Sequence, residues 1–293
     1  MSFSPETDDK NNTHTNIHSK GTAHALDMTE SLPPLIDAHI HLDSYEEAQQ
    51  QQIMSELKDT GVESVIAVSM HLDSARTHLK LAQRYPSHIH PAFGFHPEQP
   101  LPDEAEMDKL FAWMDYHSGD MIAVGEVGLP YYTRMEAEEA GHPFDSRPYE
   151  ELLERFVAFA QHHDKPIVLH AVYEDAAIAC RLLAQYKIKR AHFHWFKGPA
   201  ETLQHMAQQG YYVSFTPDIV YEKEIQELAS VYPRSLVMSE TDGPWPFEGP
   251  FAGQMTHPRM TADVAEAWGR IQGLPLPEAR RLLYDNAKRF YGI

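Results

Sequence analysis

The stretch that decides the fold is "LIDAHIHLD", Leu35–Asp43. Ile36, Ala38 and Ile40 alternate with Asp37, His39 and His41. Residues i, i+2 and i+4 of a strand share one face, so the acid and both imidazoles are expected to point the same way. An apolar strand with such a face fits the C-terminal end of a barrel strand, where side chains turn inward and chemistry collects. Two imidazoles placed there can hold one cation, at about 2.0–2.1 Å per bond for zinc.

Downstream of this strand the pattern repeats. Short apolar runs read as strands at Leu35–Ala38, Ser64–Val68, Ile89–Phe93, Met121–Gly125, Ile167–Leu169, Arg190–Phe193, Tyr211–Ser214 and Ser235–Met238. Helical patterns fall between and after them, at Tyr45–Thr60, Ala75–Tyr85, Asp103–His117, Tyr149–His163, Asp175–Tyr186, Ala200–Gln209, Glu222–Ser230, Thr261–Gln272 and Pro277–Tyr291. Strand–helix alternation repeated about eight times predicts a (β/α)8 TIM barrel of the α/β class. A doubly wound open sheet is the runner-up. With neither repeat nor linker after Pro34, residues 34–293 are expected to form one domain. Residues 1–33 are polar and nearly free of large apolar side chains, so they are expected to remain a disordered tail. His14, His18 and His24 of that tail can bind metal only adventitiously.

The formal charge of −19 argues against broad, nonspecific binding to nucleic acid or membrane. It leaves room for a local positive site, because bound metal ions add charge that residue counts omit. Cys180 is the single cysteine and lies in a helical pattern, so it is read as a core residue. With no internal disulfide, no apolar run of about 18 residues and no N-terminal apolar segment, a soluble cytoplasmic protein is expected.

Barrel chemistry sits after the strands. The first strand ends in His39 and His41, the second leads to His71, the third to His96 and the fourth to Glu126. The fifth ends at His170, the sixth at His194, and the eighth reaches Asp242; the seventh offers only Ser214 and Thr216. The chain has 19 histidines, so each one alone is more readily a structural residue. His88 and His90 read as surface or packing, His192 as core or an outer neighbour of the site, and His78 and His117 as helix surface. His162 and His163 close a helix, and His205 and His257 are left structural. Scattered histidines, however, would not fall selectively at strand ends with an acid after the fourth and eighth. His39, His41, Glu126, His170, His194 and Asp242 make a ligand list for two divalent metals sharing a bridging carboxylate. Glu126 is the natural bridge. Asp242 would ligate one ion and take the proton from the attacking water. Glu240 shares the strand face of Asp242 and is either an outer support of the site or a packing residue. Mixed imidazole and carboxylate ligands suit Zn, Mn, Fe or Co, and the carboxylates admit Mg.

From about residue 35 to the C-terminus the chain resembles the TatD family of metal-dependent hydrolases, a branch of the amidohydrolase-like TIM barrels. The resemblance rests on "DAHIHLD", "GFHPE", "GEVGL", "VLHA", "HWFKG" and "ETDGP", in family order, with a closing "DNAKRFYG". It implies the same six residues as metal ligands, His96 near the substrate, and phosphodiester hydrolysis, typically of DNA. Four departures stand out. Pro130 replaces an Asp, Ala171–Val172 replace a Ser-Arg pair, and Trp195 and Lys197 stand at substituted positions. Residues 131–147 form an acidic loop in place of a short connection. Lost cations and added acids should weaken polyanion binding. Lys197 either restores charge or is a solvated loop residue, and Trp195 either stacks a base or walls the pocket. Two further readings remain open: a related barrel hydrolase of small amides, esters or phosphoesters, and a non-catalytic barrel that binds metal or a protein partner.

Overall fold

A computed structural model of the chain describes residues 32–293. The tail expected over 1–33 lies outside the described residues, apart from its last two positions. Eight strands form one parallel sheet in sequence order: β1 (Leu35–Ile40), β2 (Val62–Val68), β3 (Ile89–Phe93), β4 (Ala123–Gly128), β5 (Ile167–His170), β6 (Ala191–Phe193), β7 (Tyr212–Phe215) and β8 (Val237–Ser239). Ten helices follow or connect them: α1 (Glu47–Glu56), α2 (Leu72–Arg84), α3 (Glu104–Tyr116), α4 (Tyr131–Glu139), α5 (Arg147–His162), α6 (Asp175–Gln185), α7 (Ala200–Gln209), α8 (Lys223–Val231), α9 (Thr261–Gln272) and α10 (Leu276–Tyr291). This is the expected (β/α)8 arrangement, a nearly closed barrel. None of the described helices is long and apolar enough to cross a membrane.

Alternate strand residues divide between two apolar layers. Ile36, Ala38, Ile66, Val68, Ala92, Ala123, Val168 and Met238 pack together inside the barrel, against Phe290 and Tyr291 of α10. Val124, Ile167, Leu169, Phe193, Val213 and Val237 face the helices in the larger outer core, which also holds Cys180. Burial pushes the Cys180 thiol up to about 12, so it stays protonated packing matter.

The seam between β8 and β1 is closed beyond the regular ladder. Asp242 N donates to His39 O at 3.0 Å and His41 N to Gly243 O at 2.8 Å. Asp37 adds side-chain contacts to the seam: its carboxylate accepts from Thr241 N at 2.9 Å and from the Thr241 hydroxyl.

That role corrects the opening expectation for Asp37. Asp37 pairs with Val65 and Ile40 with Ala67, three residues of β1 spanning two of β2. This one-residue bulge reverses the parity of the strand. Ile36 and Ala38 face the interior before it, Ile40 joins Val65 and Ala67 on the outer side after it, and His39 and His41 turn inward. Asp37 therefore does not share their face. A second bulge lies in β4, where Val124 pairs with Ile167 and Val127 with Leu169, and it sets the position of Glu126.

Candidate metal centre

Six side chains converge at the C-terminal rim of the barrel. His39 Nε2 lies 3.1 Å from Glu126 Oε2 and 3.3 Å from Asp242 Oδ1. His41 Nε2 lies 3.1 and 3.4 Å from the same two oxygens. On the other side His194 Nε2 is 2.7 Å and His170 Nδ1 3.1 Å from Glu126 Oε1. The two oxygens of Glu126 thus face different histidine pairs. The structure brings together all six residues that the strand-end pattern singled out.

The chemistry of this set fits divalent metal. Both ring nitrogens of His39, Glu126 Oε2 and Asp242 Oδ1 are buried and make no well-formed hydrogen bond among the described residues. Buried polar atoms without partners are costly, and a cation is the partner that would satisfy lone pairs on nitrogen and oxygen together. His39, His41 and Asp242 can hold one ion, and Glu126, His170 and His194 another, since within each trio the donor atoms lie within 4.8 Å of one another. Burial alone would raise Glu126, yet the surrounding His194, His96 and His39 rings hold its carboxyl well below the usual range. Burial would also lower His41, but Asp242 and Glu126 push it up to about 10. The cluster is a dense field of compensating charge.

Outer carboxylates stand behind two of the rings. His170 Nε2 lies 3.2 Å from Glu98 Oε1, leaving Nδ1 toward Glu126. His194 Nδ1 lies 3.6 Å from Glu240 Oε1, leaving Nε2 toward Glu126. Glu240 is fully buried and accepts the Trp195 amide at 2.8 Å, so of its two readings the support of the site is the one its position favours. His96 differs in kind. Its Nδ1 accepts the Glu98 amide at 3.1 Å, so the ring proton of neutral His96 sits on Nε2, 3.3 Å from Glu126 Oε1. It offers the site an N–H rather than a lone pair.

Glu98 was missed by sequence reasoning although it stands in "GFHPE". Burial would raise it, but bonds from His170 and Thr133 hold it down at about 2. It also accepts the amides of Tyr132 and Thr133 at 2.9 and 2.7 Å. Those amides open α4, and this corrects the reading of residues 131–147 as an acidic loop. Pro130 precedes the helix, whose first turn aims its free amides at the Glu98 carboxylate.

Other histidines separate cleanly. His71 does not reach the cluster: it is exposed and caps α2, its Nδ1 accepting Ser74 N at 3.2 Å. His78 is not on the helix surface but fully buried, with Nε2 3.1 Å from Asp43 Oδ1 and Nδ1 3.2 Å from Ser69 Oγ. His192 lies in the core, bonded to Ser214 Oγ at 2.6 Å and to Tyr291 OH at 3.0 Å. Ala171 and Val172 are buried apolar residues after β5.

Trp195 follows His194 with φ at 38°, a left-handed conformation that costs a bulky residue about 1–3 kcal/mol. Its indole N–H donates to Asp218 Oδ2 at 2.6 Å, and Lys197 Nζ sits 5.1 Å from its ring centroid. Asp242 is left-handed too, at φ 48°, which suits Asp better than most residues. Asp218 is held up at about 6, chiefly by burial, against the lowering bonds from Thr216 and Trp195 and the nearby Lys197; Glu222 adds a small upward push. A carboxyl raised in the folded state is harmless below about pH 4, where both states are protonated, and destabilising above about pH 6, where the folded chain must bury a charge. Asp218→Asn should therefore raise the melting temperature at pH 8, by an amount equivalent to roughly 1–3 kcal/mol, and leave it unchanged at pH 4. Melting curves at the two pH values check this; an equal shift at both would contradict it.

Comparison with known proteins agrees with this geometry. The family model described as "TatD related DNase" matches residues 36–292. An uncharacterized metal-dependent hydrolase of Haemophilus influenzae is 39% identical over 259 residues, covering 88% of this chain and 100% of its own. A putative deoxyribonuclease, tatdn3, of Danio rerio is 23% identical over 222 residues, 71% of this chain and 79% of its own. Among solved structures, the TatD homologue YJJV of Escherichia coli K12 superimposes with a TM-score of 0.77 at 21% identity, covering 88% of this chain and 98% of that one.

Proposed function

The chain belongs to the TatD family of metal-dependent hydrolases, and from that premise we propose that it cleaves phosphodiester bonds of DNA with an activated water, using two divalent ions at the barrel rim. The observation that carries this reading is the split donor set, in which each oxygen of Glu126 faces its own pair of histidines. Zn, Mn, Fe, Co and Mg are all compatible with these ligands. Bound there, two such cations polarise a phosphoryl oxygen and lower the pKa of a water.

The chain's own residues supply the rest. Asp242 accepts the proton of the attacking water. His96 Nε2–H points toward the space where a substrate oxygen would lie. Glu98 holds His170 in its working tautomer, and the Glu240 carboxylate stands behind His194. Trp195 and Lys197 line the mouth, Lys197 offering positive charge to a phosphate. A cytoplasmic location and an oligonucleotide partner belong to the same reading.

A small ester or phosphoester substrate is the second reading. It is favoured by Arg134, whose charge is already taken up by Glu174 and Asp175 at 3.0 Å each. A panel of DNA, RNA and small esters, assayed with several divalent metals, separates the two. DNA cleavage with a shallow salt dependence is expected, since few basic groups border the site; counterion release then involves about 1–3 phosphates. Turnover of small esters with no cleavage of any nucleic acid would replace the first reading with the second. A steep salt slope would reveal an extended basic groove.

A further inference from the structure

We propose that Trp245 and Tyr132 are base-stacking subsites on opposite sides of the metal centre, holding the nucleotides that flank the scissile phosphate; this rests on the phosphodiesterase reading above. Few large hydrophobic side chains are exposed among the described residues, and these two, at 57% and 44%, stand beside the site. Neither is a loose surface residue. Trp245 N donates to Asp242 O at 3.1 Å, which ties its backbone to a residue of the centre. Its ring stands edge-on to Trp195, with centroids 5.9 Å apart, and Trp195 is itself anchored through Asp218. Tyr132 is tied from the other side. Its amide binds Glu98, Glu98 binds His170, and the Tyr132 ring lies 6.1 Å from the His170 ring.

The strand order places the backbones of the two residues on opposite sides of the mouth, the Trp245 ring lying beside Trp195, which follows β6. Tyr132 follows β4 and Trp245 follows β8, four strands apart in an eight-stranded sheet and so on opposite sides of the barrel. Each ring is held by its own side of the donor set. A ligand spanning both would cross the centre, with one planar group on each side.

Charge decides what that ligand gains from the contact. A chain of net charge −19 has few cations to spare for phosphates, so affinity must come from contacts that do not need charge. Stacking a base on an exposed aromatic ring contributes about 1–3 kcal/mol and tolerates any sequence, because every base has a π-face. The bases must be unstacked from each other to reach the two rings, so the bound segment is single-stranded.

The test compares a single-stranded DNA oligomer with one of equal length whose residues flanking the scissile bond lack bases. The metal-loaded full-length protein is used, with Trp245→Ala, Tyr132→Ala and the ring-retaining Trp245→Phe and Tyr132→Phe. In the wild type KM should be roughly 10-fold or more lower for the base-bearing oligomer, given about 1–3 kcal/mol per stacked base. That ratio should fall in each Ala variant by the share of one stacked base, roughly 5-fold or more, and be largely restored in each Phe variant. Equal KM for the two oligomers in the wild type, with cleavage intact, overturns the subsites and leaves the phosphodiesterase reading standing. A wild-type ratio that persists in both Ala variants places base recognition elsewhere and overturns the assignment. Failure to cleave either oligomer overturns the phosphodiesterase reading itself.

Discussion

Replacing Asp242 by Asn is expected to lower turnover by about 10²–10⁴, the usual size of a general-base contribution. Its carboxyl is held below the normal range: burial alone would raise it, but His39 and His41 outweigh burial. It is therefore ionised at working pH, the form that a metal ligand or a proton acceptor must have. Asn keeps the shape and one oxygen at the position facing His39 Nε2 and His41 Nε2. Metal content and KM should change little. The φ of 48° at this position suits Asn as well as Asp, so folding should be preserved. Turnover close to wild type would remove Asp242 from proton transfer.

Glu126→Gln should do more harm by another route. Glu126 is fully buried and faces His39, His41, His170 and His194 through its two oxygens. A neutral amide offers one oxygen and an N–H₂ where two anionic oxygens stood, so one histidine pair meets a donor instead of an acceptor. Bound metal should fall well below the wild-type level, and turnover should fall at least as far as in Asp242→Asn. Metal content and turnover measured on both variants separate the two roles: loss of turnover with metal retained for Asp242, loss of both for Glu126. Full metal content in Glu126→Gln would contradict the bridging role.

The barrel was legible because its signal is local. Each strand is a short apolar run, most helices are amphipathic stretches, and their alternation survives errors of two or three residues at element ends. The histidines and acids after the strands were legible for a related reason: strand direction alone carries them to one rim. What escaped was set by partners distant in sequence. Asp37 was read on the face of His39 because period-two alternation assumes an unbroken ladder, and only the pairing of β1 with β2 exposes the extra residue. Glu98 drew no reading, since its partners His170 and Thr133 come 72 and 35 residues later. His78 looked solvated because its partner, the Asp43 amide that donates to its Nε2, belongs to another segment 35 residues away. Residues 131–147 read as a loop from their acidic composition, whereas the first turn of α4 is held by the Glu98 carboxylate, a contact that local composition does not encode.

The central claim is that one carboxylate and its four histidines, together with Asp242, hold a pair of divalent ions. Elemental analysis of protein purified without chelator, with residues 1–32 removed so that the tail histidines do not contribute, addresses it most directly. The account predicts close to two ions per chain at saturating metal, with roughly half that content or less in Glu126→Gln, since the two oxygens of Glu126 face both histidine pairs. One ion per chain at saturation, unaltered by Glu126→Gln, would contradict it.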